Sequence, residues 1–284
     1  MRKFGQFLFT LIPVLLALAI QIGVVFFFYG ISFMLEFGWY AGNSSVTFSE
    51  IMTDLFNWES LRDSAYLMAP YAAFCIALFG LWYYIKYDGN YFVSLRTDFH
   101  PLLLVGILML VPGMQYLSTY IVNFTAILFP DWLRAYEELI ESAGLDGTVT
   151  FLMFCYSVLL APVCEELIFR GVTLRQAKKC LPFWAANLWQ AFLFGAFHMN
   201  MMQGIYAFSL ALILGYVCEK SNSIYNPILL HMLFNFWGTV LYRFFTIGDS
   251  SFSIIFWFIF GLAMTVGGLA VFRKGCQSVS QKTD

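Results

Sequence analysis

Two adjacent glutamates and an arginine stand in a strongly apolar part of the chain. They occur as E-E-L-I-F-R at residues 165–170, in an apolar stretch that begins near residue 149. An ionised side chain in hydrocarbon costs about 3 kcal/mol even on lenient insertion scales, so such residues usually mark a functional site. On a helix, Glu166 and Arg170 face one another as an ion pair, whereas Glu165 points about 100° away and stays free. Glu165 is therefore the candidate base that activates water, and Glu166 with Arg170 is a candidate structural pair.

Two histidines and an asparagine are the candidate partners of these glutamates. His198 and His231 also lie in apolar stretches, and Asn235 follows His231 by one helical turn. Glu165 and His198 are each about 16 residues from a hairpin tip at residues 181–182, and antiparallel helices bring such positions to one level. Polar side chains on apolar helices face the interior of a bundle or a wet cavity. The predicted site consists of Glu165, Glu166, His198, His231 and Asn235, supported by Arg170.

Such a site could perform hydrolysis in two ways. Glu165, His198 and His231 could hold one divalent metal ion, with zinc as the preferred ion, and a water molecule in the open position. Alternatively, Glu165 could activate the water without a metal, assisted by His198, while His231 and Asn235 donate hydrogen bonds to a developing oxyanion. A third interpretation is a buried polar network that holds helices together without any reaction.

The composition is that of a membrane protein. Of the 284 residues, 61% are hydrophobic, 20% aromatic and only 11% charged, whereas about a quarter of the residues in soluble domains are charged. A net charge of -2 leaves no basic surface for nucleic acid. The six cysteines contain no C-x-x-C pair, which argues against a zinc knuckle or a disulfide framework. We therefore expect an all-α polytopic protein whose helices form one bundle in the lipid bilayer.

Eight apolar stretches are long enough to be membrane spans of about 20 residues. They lie at about 7–35, 66–86, 101–129, 149–171, 183–200, 203–219, 224–245 and 252–272, and the stretch at 203–219 is the shortest. A cytoplasmic N-terminus places most lysines and arginines on the inner side, as the positive-inside rule requires. The predicted outer loops are acidic, and residues 132–142 have the spacing of an amphipathic helix at the outer interface. The prediction is a multi-pass protein of the cell membrane with both termini in the cytoplasm, and the compact chain suggests a bacterial source.

Three motifs resemble those of a known family. E-E-x-x-x-R at residues 165–170 is followed by F-x-x-x-H at 194–198 and by H-x-x-x-N at 231–235. Together and in this order they resemble the CPBP family of intramembrane proteases, which includes the type II CAAX prenyl endopeptidases and the Abi bacteriocin-immunity-related proteins. The resemblance covers about residues 150–240. It implies a helical membrane core with Glu165 as the water-activating base, completed by Glu166, His198, His231 and Asn235 and supported by Arg170.

The predicted function is an intramembrane endopeptidase of the metallo or glutamic type. It would cleave a membrane-associated or lipid-modified protein or peptide in a cavity open to the cytoplasmic side. Residues 1–148 would form scaffold helices, residues 149–245 the catalytic core, and residues 246–284 the last span and a short tail. The G-x-S-G, G-x-G-D and H-E-x-x-H motifs of other intramembrane proteases are absent. Two alternatives stay open: a non-catalytic scaffold or immunity-type partner on the same fold, and a transporter that relays protons or ions through Glu165 and the histidines.

Overall fold

A computed structural model describes residues 2–41, 49, 64–87, 100–145 and 149–283. All regular elements within these ranges are helices, which confirms the predicted all-α fold. In chain order they are α1 (Arg2–Leu8), α2 (Ile12–Ala41), α3 (Ser64–Tyr87), α4 (Pro101–Leu128), α5 (Pro130–Ser142), α6 (Phe151–Ala177), α7 (Phe183–Phe197), α8 (Met201–Ser221), α9 (Tyr225–Phe236) and α10 (Ser251–Thr283).

Six helical stretches of the described residues are long and apolar enough to cross a membrane. They correspond to α2, with part of α1, and to α3, α4, α6, α8 and α10. The stretch at 203–219, the shortest of the predicted spans, is part of the 21-residue helix α8. Two other predicted spans are shorter than expected: α7 has 15 residues and ends at Phe197, and α9 has 12 before the chain continues as a π-helix at Trp237–Leu241. Most of the first predicted outer loop lies outside the described residues.

Helices α4 and α10 pack so closely that glycines are required between them. A Cβ atom at Gly106 would lie 2.8 Å from the backbone of Phe272, and one at Gly113 would lie 2.7 Å from the backbone nitrogen of Thr265. Small residues of this kind let membrane helices approach and gain van der Waals contact. The buried side chains of α4 also contact α8 and α9, so this pair supports the helices that carry the site from one side.

Helix α6 changes between α-helical and π-helical turns around the two glutamates. Cys155–Leu160 and Leu167–Leu174 are π-helical, and the short segment Ala161–Glu166 between them is α-helical. The Thr173 hydroxyl donates a hydrogen bond of 2.8 Å to the carbonyl of Ile168, five residues earlier. All residues of Leu167–Leu174 are buried. Because π-helical turns within longer helices occur frequently at functional sites, this irregularity singles out the region of the glutamates.

Helices α7 and α8 form a tight hairpin whose backbones touch. A Cβ atom at Gly195 would lie 2.6 Å from the carbonyl oxygen of Gly204, and one at Gly204 would lie 2.9 Å from the carbonyl oxygen of Gly195. Deeper in the pair, the Asn187 amide donates to the carbonyl of Leu212 at 3.0 Å. The Gln190 amide donates both to Asn187 Oδ1 at 2.8 Å and to the carbonyl of Ala211 at 3.1 Å. These bonds fix the rotation of α7, and with it the positions of its later residues.

The amphipathic helix predicted at 132–142 is present as α5. It follows α4 directly and contacts the turn between α7 and α8, where the Asn200 side chain donates to the carbonyl of Ala135 at 3.3 Å. The hydroxyls of Tyr136 and Tyr206 lie 3.4 Å apart. Burial raises the pKa of Tyr136, and the hydrogen bond with Tyr206 opposes part of this shift. Helix α5 is therefore attached to the hairpin two residues after His198.

Candidate active site

Glu166 and Arg170 form the ion pair that their spacing predicts. Arg170 Nη1 donates to Glu166 Oε1 at 2.8 Å, and both side chains are completely buried. Arg170 Nη2 donates to the carbonyl of Ala211 at 3.2 Å, and its guanidinium lies 4.6 Å from the centre of the Phe194 ring. The ion pair is thereby also held to α8, through Ala211, and to α7, through Phe194. The pair thus fixes a carboxylate at the base of the site.

His231 links this pair to Glu165. Its Nδ1 lies 2.9 Å from Glu166 Oε1, and its Nε2 lies 3.8 Å from Glu165 Oε2. An ionised carboxylate only accepts hydrogen bonds, so Nδ1 of His231 carries the proton and donates it to Glu166. In the neutral imidazole, Nε2 is then an acceptor that faces Glu165. A gap of 3.8 Å between two polar atoms is wider than a direct hydrogen bond and suits a bridging water.

Glu165 is the more accessible of the two glutamates. Its side chain is 17% exposed, while that of Glu166 is fully buried. The predicted separation of the two carboxylates is therefore present: one is held in an ion pair, and the other faces the half-buried part of the site. Glu165 lies close to His231. From the sequence, Glu165 was also expected to lie at the same depth in the membrane as His198.

His198 lies at the end of α7, not inside a longer span. Its Nδ1 is 2.8 Å from the carbonyl oxygen of Phe194, one turn earlier. A carbonyl only accepts, so Nδ1 again carries the proton and Nε2 is left available. The next residue, Met199, has a φ of 51°, which reverses the chain before α8 begins. The half-buried imidazole is thus presented at a helix terminus.

Asn235 joins α9 to the first half of α6. Its amide Nδ2 donates to the carbonyl of Ser157 at 2.8 Å. A side-chain amide has two N–H groups, and within the described residues Asn235 uses one of them, in the bond to Ser157. Like Glu165 and His198, Asn235 is half-buried.

The segment that carries these side chains matches a known family. Residues 147–237 match the family model described as type II CAAX prenyl endopeptidase Rce1-like. This match confirms the resemblance expected from the three motifs and covers about a third of the chain. It supports a CAAX-type intramembrane endopeptidase in general. No curated protein and no solved structure matches the chain.

Phe194 is the residue of the Rce1-like segment whose importance the sequence did not reveal. Its buried ring makes edge contacts with both imidazoles, at 4.8 Å to His198 and 5.9 Å to His231 between ring centres. The same ring contacts the Arg170 guanidinium and lies 5.0 Å from the ring of Phe169. It therefore separates and orients three charged or titratable groups. The F-x-x-x-H motif was the signal that could have indicated this role.

The sequence left open whether the site in the Rce1-like segment holds a metal ion. Neutral histidines that donate through Nδ1 and present Nε2 have the form that zinc ligands take. However, no three or more His, Cys, Asp or Glu side chains in the described part of the chain are grouped so that they could hold a metal ion. No reaction step is therefore assigned to a metal. The site predicted at Glu165, His198 and His231 stays a prediction.

Proposed function

We propose that the chain is an intramembrane endopeptidase in which Glu165 takes a proton from a water molecule that then attacks a peptide carbonyl. The observation that carries this proposal is the chain of contacts from Arg170 through Glu166 and His231 to Glu165. A base oriented by a second group, which is held in turn by a third, is the general arrangement of activated hydrolytic sites. The Rce1-like match of residues 147–237 supports the same reaction class.

Each side chain has a role that follows from its contacts. The water lies between Glu165 Oε2 and His231 Nε2, and it transfers its proton to Glu165 as its oxygen bonds to the carbonyl carbon. Glu165 then gives this proton to the leaving amine when the carbon–nitrogen bond breaks. Glu166 and Arg170 are positioning residues, because both are buried and act through His231. His198, when protonated at Nε2, and the second amide hydrogen of Asn235 can stabilise the oxyanion.

The substrate is a membrane-associated or lipid-modified protein or peptide. Its scissile bond must reach a carboxylate that lies about midway along α6, between Phe151 and Ala177. A peptide bond that is already located at the membrane meets this requirement, whereas a folded soluble protein does not.

The test compares peptide termini in membranes of cells that carry the wild-type protein, Glu165→Gln or Glu138→Gln at matched abundance. Glu138 lies on the exposed face of α5 and supplies the control. Loss of a general base lowers the rate by about 100-fold or more, so termini found with the wild type should persist in Glu138→Gln and disappear in Glu165→Gln. Full cleavage by Glu165→Gln would refute the assignment. Identical termini in all three, with a retained cellular effect, would favour the non-catalytic scaffold.

A further inference from the structure

The helical bundle has two chemically different ends. At one end, which we call the basic end, α3, α6 and α8 finish and α7 begins. Here Tyr87 donates to Gln176 Oε1 at 3.0 Å, and Lys178 pairs with Glu219. The lysines and arginines at this end include Lys3, Lys86, Arg175, Lys178, Lys179, Lys220, Arg273 and Lys274. At the opposite end, which we call the acidic end, lie α5 and the loop before α10. Its charged residues among those described are Asp131, Arg134, Glu137, Glu138, Glu141, Arg243 and Asp249.

A layer of buried polar residues closes the site toward the basic end. The layer consists of Glu166, Arg170, Asn187 and Gln190, each with no solvent-exposed surface. Three of them donate to the carbonyls of Ala211 and Leu212 in α8, and the fourth is paired with Arg170. We call these four residues the polar layer. Because all four side chains are fully buried and bonded to α8 or to each other, the polar layer separates the site from the basic end.

A cavity at the basic end reaches the polar layer but not the reactive carboxylate. Arg170, Lys178 and Glu219 line it, together with Leu174 and Cys218. Neither Glu165 nor either histidine lines this cavity. Arg170 thus separates the cavity from the site, because it lines the former and contacts Glu166 in the latter.

The partly exposed side chains of the site lie between the polar layer and the acidic end. Glu165 is 17% exposed, and His198 and Asn235 are half-buried, in contrast to the polar layer. His198 ends α7 at the acidic end, two residues before Asn200, whose side chain bonds to α5. Asn235 bonds to Ser157, which precedes Glu165 on α6 and therefore lies nearer the acidic end. Polar side chains avoid lipid, so this partly exposed group borders a wet opening.

We propose that the active site opens on the extracytoplasmic side of the membrane. The positive-inside rule places the basic end, with its lysines and arginines, in the cytoplasm. The opening lies at the other end, in contrast to the cytoplasmic opening expected from the sequence. This inference rests on the proposed endopeptidase function and specifies its substrates. They are exported peptides or the outer ends of membrane proteins, and not polypeptides that remain in the cytoplasm.

The direction of access is measured by labelling with a membrane-impermeant maleimide in intact and permeabilised cells. The half-buried native cysteines Cys155 and Cys276 are replaced by serine, and Cys180 is kept as the marker of the basic end. Cysteine is then introduced separately by Glu165→Cys, by His198→Cys, or by Ser142→Cys, which marks the exposed acidic end. The remaining cysteines, Cys75, Cys164 and Cys218, are buried.

We expect intact cells to label the three introduced cysteines and to leave Cys180 unlabelled until the membrane is permeabilised. Labelling of the Glu165→Cys and His198→Cys proteins only together with Cys180 would place the opening at the basic end and overturn the proposal. Labelling of Cys180 in intact cells while Ser142→Cys is protected would reverse the orientation and overturn it as well. If the variants fail to accumulate, the unsubstituted protein still offers the comparison, because Cys155 near the acidic end should label before Cys180.

Labelling requires no catalysis, so this experiment separates the two proposals. The expected labelling with unchanged peptide termini would refute the endopeptidase and leave the direction of access intact. Wild-type-dependent termini that map only to cytoplasmic segments would refute the extracytoplasmic opening and leave the endopeptidase intact.

Discussion

Replacing Arg170 by methionine removes the positive charge that is paired with Glu166 in the interior. The loss is concentrated at Glu166, because the carbonyl of Ala211 retains its hydrogen bond from Gln190 at 3.1 Å. His231 still donates to Glu166 Oε1, but the second oxygen of this carboxylate has no hydrogen-bond partner in the described part of the chain. Removing one member of a buried ion pair destabilises a protein by about 3–5 kcal/mol. The ring of Phe194 also loses the guanidinium that lies 4.6 Å from its centre.

The measurement is thermal unfolding of the purified protein in detergent. A loss of this size should lower the Tm by roughly 10 °C in a chain of this length. The double variant Arg170→Met/Glu166→Gln has no buried charge at this position and should recover about 2 kcal/mol of the loss. Arg134→Met is the matched control, since Arg134 pairs with Asp131 on the surface with side chains 72% and 81% exposed. An exposed pair of this kind contributes about 0.5 kcal/mol.

The reasoning is refuted if Arg170→Met unfolds at the wild-type temperature, or if the double variant is no more stable than the single one. The first result would mean that Glu166 is not ionised or not buried. The second would mean that Arg170 acts mainly through its packing against Phe194.

Two further predictions concern the helix that carries His198. Gly195→Ala should destabilise the protein by about 1–3 kcal/mol, because the new Cβ atom would overlap the carbonyl of Gly204. Gly23→Ala is the control: open space surrounds Gly23, so the substitution should be neutral or stabilising by about 0.5 kcal/mol. Equal Tm values for the two variants would contradict the close contact between Gly195 and Gly204. Phe194→Leu should cost about 1–2 kcal/mol and lower kcat more than it raises KM, because the ring orients both imidazoles. Phe192 is exposed, so Phe192→Leu is the control and should change neither kcat nor KM. An unaltered kcat in Phe194→Leu would exclude the orienting role of the Phe194 ring.

Local spacing was sufficient to predict the pairing within the motifs. Glu166 and Arg170 meet because residues four apart on a helix are neighbours, and this rule needs no knowledge of other helices. The assignment of Glu165 as the free carboxylate followed from the same geometry. The sequence predicted that His231 and the two glutamates belong to one site. It could not predict that His231 lies next to both carboxylates, since the relative rotation of α6 and α9 depends on their packing.

The ends of α7 and α9 could not be predicted because apolar residues continue through the turns. Met199 and Met201 flank the reversal after His198, so the hydrophobic stretch extends past the actual helix end at Phe197. The π-helical turns of α6 were also hidden, since the composition of Leu167–Leu174 does not differ from that of an ordinary membrane helix. These local changes place His198 at a helix terminus, although counting residues along ideal helices placed it within a span.

The shortness of α7 has a consequence for the lipid around it. Fifteen residues rise only about 22 Å, compared with about 30 Å of hydrocarbon in a typical bilayer. One face of this helix is uncovered by protein, because Trp184, Leu188 and Phe192 are 66%, 54% and 56% exposed. One way in which a bilayer accommodates a short apolar segment is to thin beside it. Thinning of this kind beside α7 would shorten the apolar depth that a substrate crosses, next to the helix that presents His198, before it reaches Glu165.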